Sequence, residues 1–313
     1  MDLDQLNETA CAMVAPGKGL LAADESTGTI GKRFASIKLE NTADNRRDWR
    51  EMLFRTEPAM SQCVSGVILY DETIRQKAKD GTPLVKLIQT AGAIPGIKVD
   101  AGAKGLAGSD GEMITEGLDG LRDRLADYYG LGARFAKWRA VINIGRNGDE
   151  SMPSQYCDHS IERCYEVTEF ALKTLYRELF DQGVILEGTI LKPNMVISGT
   201  KHEDRASIEE VADMTMQCLA NCVPAAVPGI AFLSGGQSDE EATAHLNAMT
   251  ASYDLPWPVS FSYGRALQAA PLMAWAGKPA NVAKAQAAFN HRARMNSLAS
   301  LGEYDAAMEK EGA

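Results

Sequence analysis

The chain has 313 residues, of which 45% are hydrophobic and 24% charged, as expected for a globular protein with a sizeable buried core. Its formal net charge of −10 argues against an extended surface for nucleic acid or for an anionic membrane. The six cysteines form no C-x-x-C pair and favour a reducing compartment. The acidic N-terminus does not resemble a signal peptide, and no apolar run reaches the roughly 20 residues of a membrane-spanning helix. Together with the dispersed thiols, these features predict a cytoplasmic location.

Short apolar runs alternate with amphipathic stretches, and this order predicts a parallel sheet with helical crossovers. In chain order, the predicted strands are Leu20–Ala23, Val64–Leu69, Ile94–Val99, Phe135–Ile142, Val184–Leu191, Gly229–Leu233 and Val259–Tyr263. The predicted helices are Asn45–Leu53, Leu118–Tyr129, Ile161–Phe180, Ile208–Asn221, Glu240–Ala248 and Val282–Leu301. Because no repeat or linker interrupts this pattern, residues 1–313 are expected to form one domain.

The number of predicted strands is one short of the eight that close a (β/α)₈ barrel. The interval between Ile144 and Val184 contains a polar stretch and one helix, but no apolar strand. A segment about the size of one βα unit is therefore missing from this interval. The sequence leaves open whether seven strands close into a barrel or whether the loop Gly145–Ser160 fills a gap.

Charged residues at the ends of predicted strands are the most informative feature of the sequence. Lys137 and Arg139 lie two residues apart on one strand and so share a face, as do Lys98 and Asp100. Lys192 stands at the end of the strand that begins at Val184. Taken singly, each of these residues is explained by a solvated strand end. Together they predict an active site, because buried cations are costly unless paired and barrel active sites form at the carboxyl ends of strands.

A lysine beside a second cation in a partly dry site should have a lowered pKa and be able to attack a carbonyl as a neutral amine. Lys192 meets this requirement if Lys137 lies nearby. The end of the first strand adds two carboxylates and a hydroxyl, from Asp24, Glu25 and Ser26. The histidines are too dispersed for a metal site, so neither a metal nor a cofactor is expected.

Two glycine-containing turns between a strand and a helix suit phosphate binding. One is Leu233–Ser238, whose amides and hydroxyl could surround an anion. The other is Ser262–Arg265, where an arginine could form a bidentate pair. A single turn of this kind is a weak signal, since glycine also serves tight turns. Two such turns on consecutive strands are a stronger indication of a phosphorylated ligand.

Six stretches of the sequence resemble class I fructose-bisphosphate aldolases, in order and from about residue 5 to residue 305. They are Ala15–Thr27, Gly96–Asp100, Phe135–Arg139, Leu186–Val196, Phe232–Ser238 and Phe261–Leu267. The resemblance implies a TIM barrel that assembles as a homotetramer. It also implies reversible cleavage of fructose 1,6-bisphosphate to dihydroxyacetone phosphate and glyceraldehyde 3-phosphate through a lysine Schiff base, in glycolysis and gluconeogenesis.

The resemblance assigns roles to individual positions of this chain. Lys192 matches the lysine that forms the imine, Lys137 the cation beside it, and Asp24 a carboxylate that assists proton transfer. The positions that match the C1-phosphate site are Ser234, Gly235, Ser262, Gly264 and Arg265. Those that match the C6-phosphate side are Ser26, Arg33, Lys98 and Arg139.

The resemblance also identifies the missing segment as the fifth strand and the helix before it, lost after Cys157. That strand carries the family's main general acid/base glutamate, and no position here matches it; Glu187 belongs to a different segment. Two further readings therefore remain beside an impaired enzyme. One is a non-catalytic phosphosugar-binding or assembly protein, and the other is a chain shortened by a sequence error. The preference between fructose 1,6-bisphosphate and fructose 1-phosphate is also left open.

Overall fold

The computed structural model describes residues 2–109, 112–142, 144 and 157–312. The strands in this part of the chain are β1 (Gly19–Ala23), β2 (Val64–Leu69), β3 (Ile94–Lys98), β4 (Gly102–Gly105), β5 (Met113–Glu116), β6 (Phe135–Lys137), β7 (Ile230–Phe232) and β8 (Val259–Tyr263). Six of them form a parallel sheet in the order β6-β3-β2-β1-β8-β7, and β4 and β5 form a separate antiparallel hairpin.

Helices follow the strands in the order expected of an α/β barrel. They are α1 (Leu3–Met13), α2 (Thr27–Ser36), α3 (Ala43–Phe54), α4 (Asp71–Arg75), α5 (Leu84–Thr90), α6 (Leu121–Gly130), α7 (Ile161–Asp181), α8 (Ile208–Cys222), α9 (Asp239–Ser252), α10 (Arg265–Trp275) and α11 (Val282–Ala299). A π-helix occupies Ala59–Cys63, and 3₁₀ turns occupy Leu186–Gly188, Pro279–Asn281 and Ala306–Gly312. No helix among the described residues is both long enough and apolar enough to cross a membrane.

Burial on both faces characterises the centre of the sheet. Every residue of β1, β2 and β8 is buried, as in parallel sheets whose two faces are both covered. Helix α1 covers one end of the sheet, where Ala10 and Met13 pack against Leu20 and Ala231. The carboxyl ends of the strands are thereby left as the open end of the barrel.

Among the described strands, the sheet is open at the place where the sequence lacks a βα unit. At one edge, β6 pairs with β3 and with no other described strand. At the other edge, Leu191 forms a one-residue parallel bridge with Ile230 of β7. The six strands and this bridge give seven positions, and the opening lies between the position of Lys137 and that of Lys192. The TIM-barrel architecture is thus confirmed, with fewer than eight strand positions in the part of the chain that the structure describes.

The prediction of a strand at Val184–Leu191 is wrong, because only Leu191 takes part in a bridge. The amide of Val184 instead donates to the carbonyl of Leu179 (2.9 Å) at the end of α7, and a 3₁₀ turn follows at Leu186–Gly188. A segment without a neighbouring strand on one side loses half of its ladder hydrogen bonds, so these local turns prevail. Most of the loop Gly145–Ser160 lies outside the described residues.

The described residues just after the missing unit are anchored to the segment that follows Lys192. The carbonyl of Cys157 accepts from the amide of Lys201 (3.2 Å), and the carbonyl of His159 accepts from the amide of Gly199 (2.9 Å). The buried imidazole of His159 also donates through Nε2 to the carbonyl of Ile197 (3.2 Å). These bonds hold the start of α7 in place without any contribution from the missing unit.

Candidate active site

The open end of the barrel gathers the charged and polar side chains that the sequence singles out. Parallel strands present their carboxyl ends on one edge, so residues at the ends of different strands become neighbours. Asp24 follows β1, Lys137 ends β6, and Lys192 follows the bridge at Leu191. The two glycine-containing turns follow β7 and β8 at the same edge.

Lys137 and Asp24 form a partly buried ion pair. Their Nζ and Oδ2 atoms lie 2.8 Å apart, and the two side chains are only 15% and 13% exposed. Burial alone would raise the pKa of the Asp24 carboxyl, but the positive charges of Lys137 and Lys192 outweigh it and lower that pKa below its usual value. Asp24 is therefore ionised at neutral pH.

Lys192 has the properties of an amine nucleophile. Desolvation, opposed by Asp24 and reinforced by the charges of Lys137 and Arg139, lowers its pKa to about 8. With that pKa, the Lys192 amine is neutral in roughly a tenth of the protein molecules at pH 7, a far larger fraction than for an ordinary lysine. Its side chain makes no hydrogen bond or ion pair with any other residue in the described ranges. Its lone pair is thus free to attack a ligand.

The turns after β7 and β8 converge on Arg265, the first residue of α10. One guanidinium nitrogen of Arg265 donates to the carbonyl of Ser234 (3.2 Å) and to that of Gln237, and the other lies 3.3 Å from Asp239 Oδ1. Gly236 takes a φ of +74°, a conformation that favours glycine and allows this sharp turn. A cavity of about 360 Å³ opens beside Arg265, lined also by Thr200, Arg205, Gly236, Gln237, Ser238 and Glu241.

The remaining members of the predicted C1-phosphate site lie at the same place. Gly264 directly precedes Arg265, and Gly235 lies next to Ser234. Ser262 is 1% exposed, and its Oγ has no hydrogen-bond partner among the described residues. A buried hydroxyl without a partner is costly, so Ser262 is suited to a bond with a ligand. The structure thus places Ser234, Gly235, Gly264 and Arg265 side by side, and their role in phosphate binding stays a prediction.

The predicted C6-phosphate residues are more scattered. Lys98 is held by Asp100 at 2.6 Å, Ser26 caps the first turn of α2, and Arg139 is exposed beyond β6. Arg33 pairs with Glu25 at 2.5 Å. Its guanidinium also lies close to Gly264: a Cβ built on Gly264 would be 3.5 Å from Arg33 Nη2. Arg33 thus lies beside Gly264 of the turn after β8, whereas the resemblance assigns it to the C6-phosphate side.

A cluster behind Asp24 was not predicted from the sequence. Glu25 is 6% exposed and accepts from Arg33 and from Gln268 (2.9 Å), while Arg50 donates to its main-chain carbonyl (2.8 Å). Successive residues of an extended chain point to opposite sides, so Glu25 faces the helices when Asp24 faces the barrel mouth. This alternation along the chain was the feature of the sequence from which the cluster around Glu25 could have been predicted. Glu25 and its partners support the backbone that carries Asp24.

Comparisons with known proteins agree with this geometry. A family model for fructose-bisphosphate aldolase class-I matches residues 5–157 and 155–313. The chain belongs to the class I fructose-bisphosphate aldolase family. A probable fructose-bisphosphate aldolase class 1 of Xanthomonas campestris is 54% identical, with 97% of this chain and 99% of the relative covered. Fructose-bisphosphate aldolase 6, cytosolic, of Arabidopsis thaliana is 50% identical, with coverages of 96% and 92%.

A solved aldolase has the same fold. The fructose-bisphosphate aldolase of Plasmodium falciparum, solved in complex with TRAP and a small-molecule inhibitor, superposes with a TM-score of 0.91 at 42% identity. The superposition covers 97% of this chain and 96% of that aldolase. The α/β barrel is therefore that of an aldolase, although β6 has a free edge among the described strands.

The aldolase family also locates the missing unit. The match to the family model breaks at residues 155–157. The alignment with the Xanthomonas relative spans 337 positions but covers 97% of a chain of 313 residues, so roughly thirty positions lack a counterpart here, about one βα unit. Glu187 does not replace the lost glutamate: it is exposed, and its carbonyl accepts from Asn7 of α1 at the opposite end of the barrel.

Proposed function

We propose that this protein is a class I aldolase that reversibly cleaves fructose 1,6-bisphosphate to dihydroxyacetone phosphate and glyceraldehyde 3-phosphate through an imine on Lys192. The observation that carries this proposal is the amine of Lys192, whose pKa is lowered to about 8 beside the Lys137–Asp24 pair. Such an amine can attack a ketone without metal assistance. The relatives from Xanthomonas campestris and Arabidopsis thaliana carry the same activity in their names.

Imine formation is assigned to Lys192. Its neutral nitrogen attacks C2 of the ketose, the carbonyl oxygen leaves as water after gaining two protons, and a protonated imine remains. Burial, reinforced by the positive charge of Lys137, keeps part of Lys192 neutral before the attack. Arg265 and the turn at Ser234 would hold the C1 phosphate and so place C2 near Lys192.

Carbon–carbon cleavage follows from the electron demand of the protonated imine. The C4 hydroxyl loses a proton, the C3–C4 bond breaks to release glyceraldehyde 3-phosphate, and the electron pair moves into an enamine on Lys192. Protonation of C3 and hydrolysis then release dihydroxyacetone phosphate. We assign the proton transfer near the scissile bond to Asp24, which is ionised and therefore able to accept a proton. Ser26, Lys98 and Arg139 would contact the C6 phosphate, with Arg33 nearer to the C1 side.

We further propose that residues 1–313 form one domain that assembles as a homotetramer in the cytoplasm. One connected cluster of buried side chains runs from Leu21 to Ala299, which supports a single domain. The family resemblance supports the tetramer. The relatives from Arabidopsis thaliana that are named cytosolic support the location.

Trapping the imine tests the assignment of Lys192. Sodium borohydride added with dihydroxyacetone phosphate should reduce the imine to a stable amine and add the mass of the triose phosphate to the peptide containing Lys192. Lys192→Met should abolish the adduct, whereas Lys201→Met, which removes an exposed lysine from the same loop region, should leave it intact. An adduct on another lysine, or none in the wild-type chain, would refute the assignment. A phosphosugar-binding protein without catalysis would bind the ligand but form no adduct.

A further inference from the structure

Arg265 depends on a carboxylate for its orientation. Its side chain is 40% exposed, and its side-chain contacts are the carbonyls of Ser234 and Gln237 and the Oδ1 of Asp239 at 3.3 Å. The two carbonyls accept from one guanidinium nitrogen, and Asp239 fixes the other. Without Asp239, the guanidinium could rotate about its contacts with the two carbonyls.

A buried arginine holds Asp239 from the other side. Arg292 of α11 is 4% exposed, and its Nη2 donates to the main-chain carbonyl of Asp239 (3.2 Å) and to Thr243 Oγ1 (2.6 Å). Burial raises the pKa of Asp239, and the positive charges of Arg265 and Arg292 oppose this rise. The first turn of α9 is therefore fixed between the two arginines.

The last turn of the chain holds Arg292 in turn. Glu309 Oε1 lies 2.5 Å from Arg292 Nη1, and Glu309 also accepts from Tyr304 (3.2 Å) and pairs with His291 (2.8 Å). A continuous series of contacts thus runs from Glu309 through Arg292 and Asp239 to Arg265. The series starts on the outside of the barrel and ends at the proposed phosphate site.

We propose that Asp239 is a positioning residue for Arg265, and that Arg292, held by Glu309, keeps Asp239 in place. This inference deepens the proposed function and rests on its assignment of Arg265 to the C1 phosphate. An ion pair with a 40% exposed arginine contributes little to folding stability. Loss of the pair therefore alters phosphate binding rather than folding. Since the phosphate contact is made equally in the bound substrate and in the transition state, the effect falls on KM and not on kcat.

The experiment compares neutral variants at neighbouring positions. Asp239→Asn is matched by Glu240→Gln, which removes one negative charge from the same helical turn at an exposed site. Glu309→Gln is matched by Glu303→Gln, also exposed. For each protein, one measures KM and kcat with fructose 1,6-bisphosphate, the dissociation constant of inorganic phosphate by ³¹P NMR titration, and the melting temperature. Arg265→Ala serves as the reference for a lost phosphate contact.

Asp239→Asn should raise KM and the phosphate dissociation constant roughly three- to tenfold, with kcat and melting temperature near those of the wild type. Glu309→Gln should act in the same direction more weakly, and neither matched control should change binding by more than about twofold. Equal phosphate binding by wild type and Asp239→Asn would overturn the inference. Phosphate binding is read without turnover, so an inactive chain would refute the proposed function while still testing the inference. Phosphate binding that is unaffected in Arg265→Ala would overturn both the phosphate assignment and the inference.

Discussion

The ammonium of Lys137 lies 2.8 Å from the carboxylate of Asp24, although 113 residues separate the two in the chain. Lys192 acts on the same carboxylate, so two lysines share one negative charge. The excess of positive charge keeps Asp24 ionised. Burial, reinforced by the charges of Lys137 and Arg139, lowers the pKa of Lys192. The same charged groups thus keep the proton acceptor Asp24 ionised and contribute to the low pKa of the nucleophile Lys192.

Lys137→Met should raise the pKa of Lys192. Removing a neighbouring cation favours the charged form of the remaining lysine, and Asp24 then acts on Lys192 alone. Burial still lowers the pKa, so the new value should lie between about 8 and the ordinary 10.5. The rate at which acetic anhydride labels Lys192 as a function of pH, followed by peptide mass spectrometry, gives this pKa. An unchanged midpoint, or an equal rise in Lys201→Met, would contradict the role given to Lys137.

Lys192→Met should stabilise the folded protein at neutral pH. The pKa of Lys192 is about 8 in the folded state and 10.5 in the unfolded chain, so the folded state binds its proton less tightly. This cost is fully present below pH 8, falls as the pH rises from 8 to 10.5, and is absent above that range. It amounts to about 3 kcal/mol at most. Urea unfolding of both proteins at pH 7 and at pH 10.5 measures the difference.

The comparison at two pH values isolates the titration of Lys192. Groups that do not interact with Lys192 titrate equally in wild type and variant, so their contributions cancel in the difference between the two proteins. A Lys192→Met protein that is less stable than wild type at neutral pH would show that the lysine stem contributes more through packing than its charge costs. A difference independent of pH would exclude the lowered pKa as the cause.

Strand positions near the centre of the sheet were predictable from the sequence, whereas those beside the opening were not. Val64–Leu69 and Val259–Tyr263 form strands with the predicted bounds, since buried apolar runs have a partner on each side. Phe135–Ile142 forms a strand only as far as Lys137, and Val184–Leu191 forms none. Strand propensity alone does not hold a segment whose neighbour is missing.

The sequence predicted the neighbours of a site residue where chain topology determines them. It was less successful where a long side chain reaches away from its own backbone position. Gly264 and Arg265 are adjacent, and the turn at Ser234 lies on the neighbouring strand, so their convergence follows from topology. The position of Arg33 depends on Glu25, whose side chain faces the helices. The resemblance assigns Arg33 to the C6-phosphate side, whereas the structure places its guanidinium beside Gly264. An arginine spans enough distance that its partner, rather than its place in the sequence, determines its location.

Arg265→Lys should weaken binding of fructose 1,6-bisphosphate. Lysine retains the charge but cannot donate to Ser234, Gln237 and a phosphate in one plane. A lost charge-assisted bond corresponds to about 1.5–3 kcal/mol, or roughly ten- to a hundredfold in KM. Arg163→Lys, on an exposed arginine of α7, is the control, and steady-state kinetics measure both. If the two variants had the same KM as wild type, Arg265 would not be a phosphate ligand.

Restoring the missing βα unit should accelerate cleavage more than it tightens binding. The two edges of the sheet at Lys137 and Leu191 would gain a strand between them, and the site would regain its general acid/base glutamate. A positioned general acid/base contributes roughly 10²–10⁴-fold, part of which Asp24 could supply through water. We therefore expect the chain as it stands to bind substrate, to form some imine, and to cleave it more slowly than the restored chain by a factor in that range. The test inserts the roughly thirty residues of the Xanthomonas relative at the junction near Cys157, once with the glutamate and once with glutamine in its place.

The glutamine version separates the two effects of the insertion. It regains the strand but not the proton donor, so it should match the present chain in kcat while exceeding it in thermal stability, because two ladders of backbone hydrogen bonds are restored. Equal kcat values for the present chain and the glutamate version would mean that Asp24 or another group carries the proton transfers unaided. A gain in kcat that both inserted versions share would assign the defect to the open sheet and its effect on the position of Lys137. A present chain that yields no folded protein, beside restored chains that do, would identify the missing unit as a sequence error.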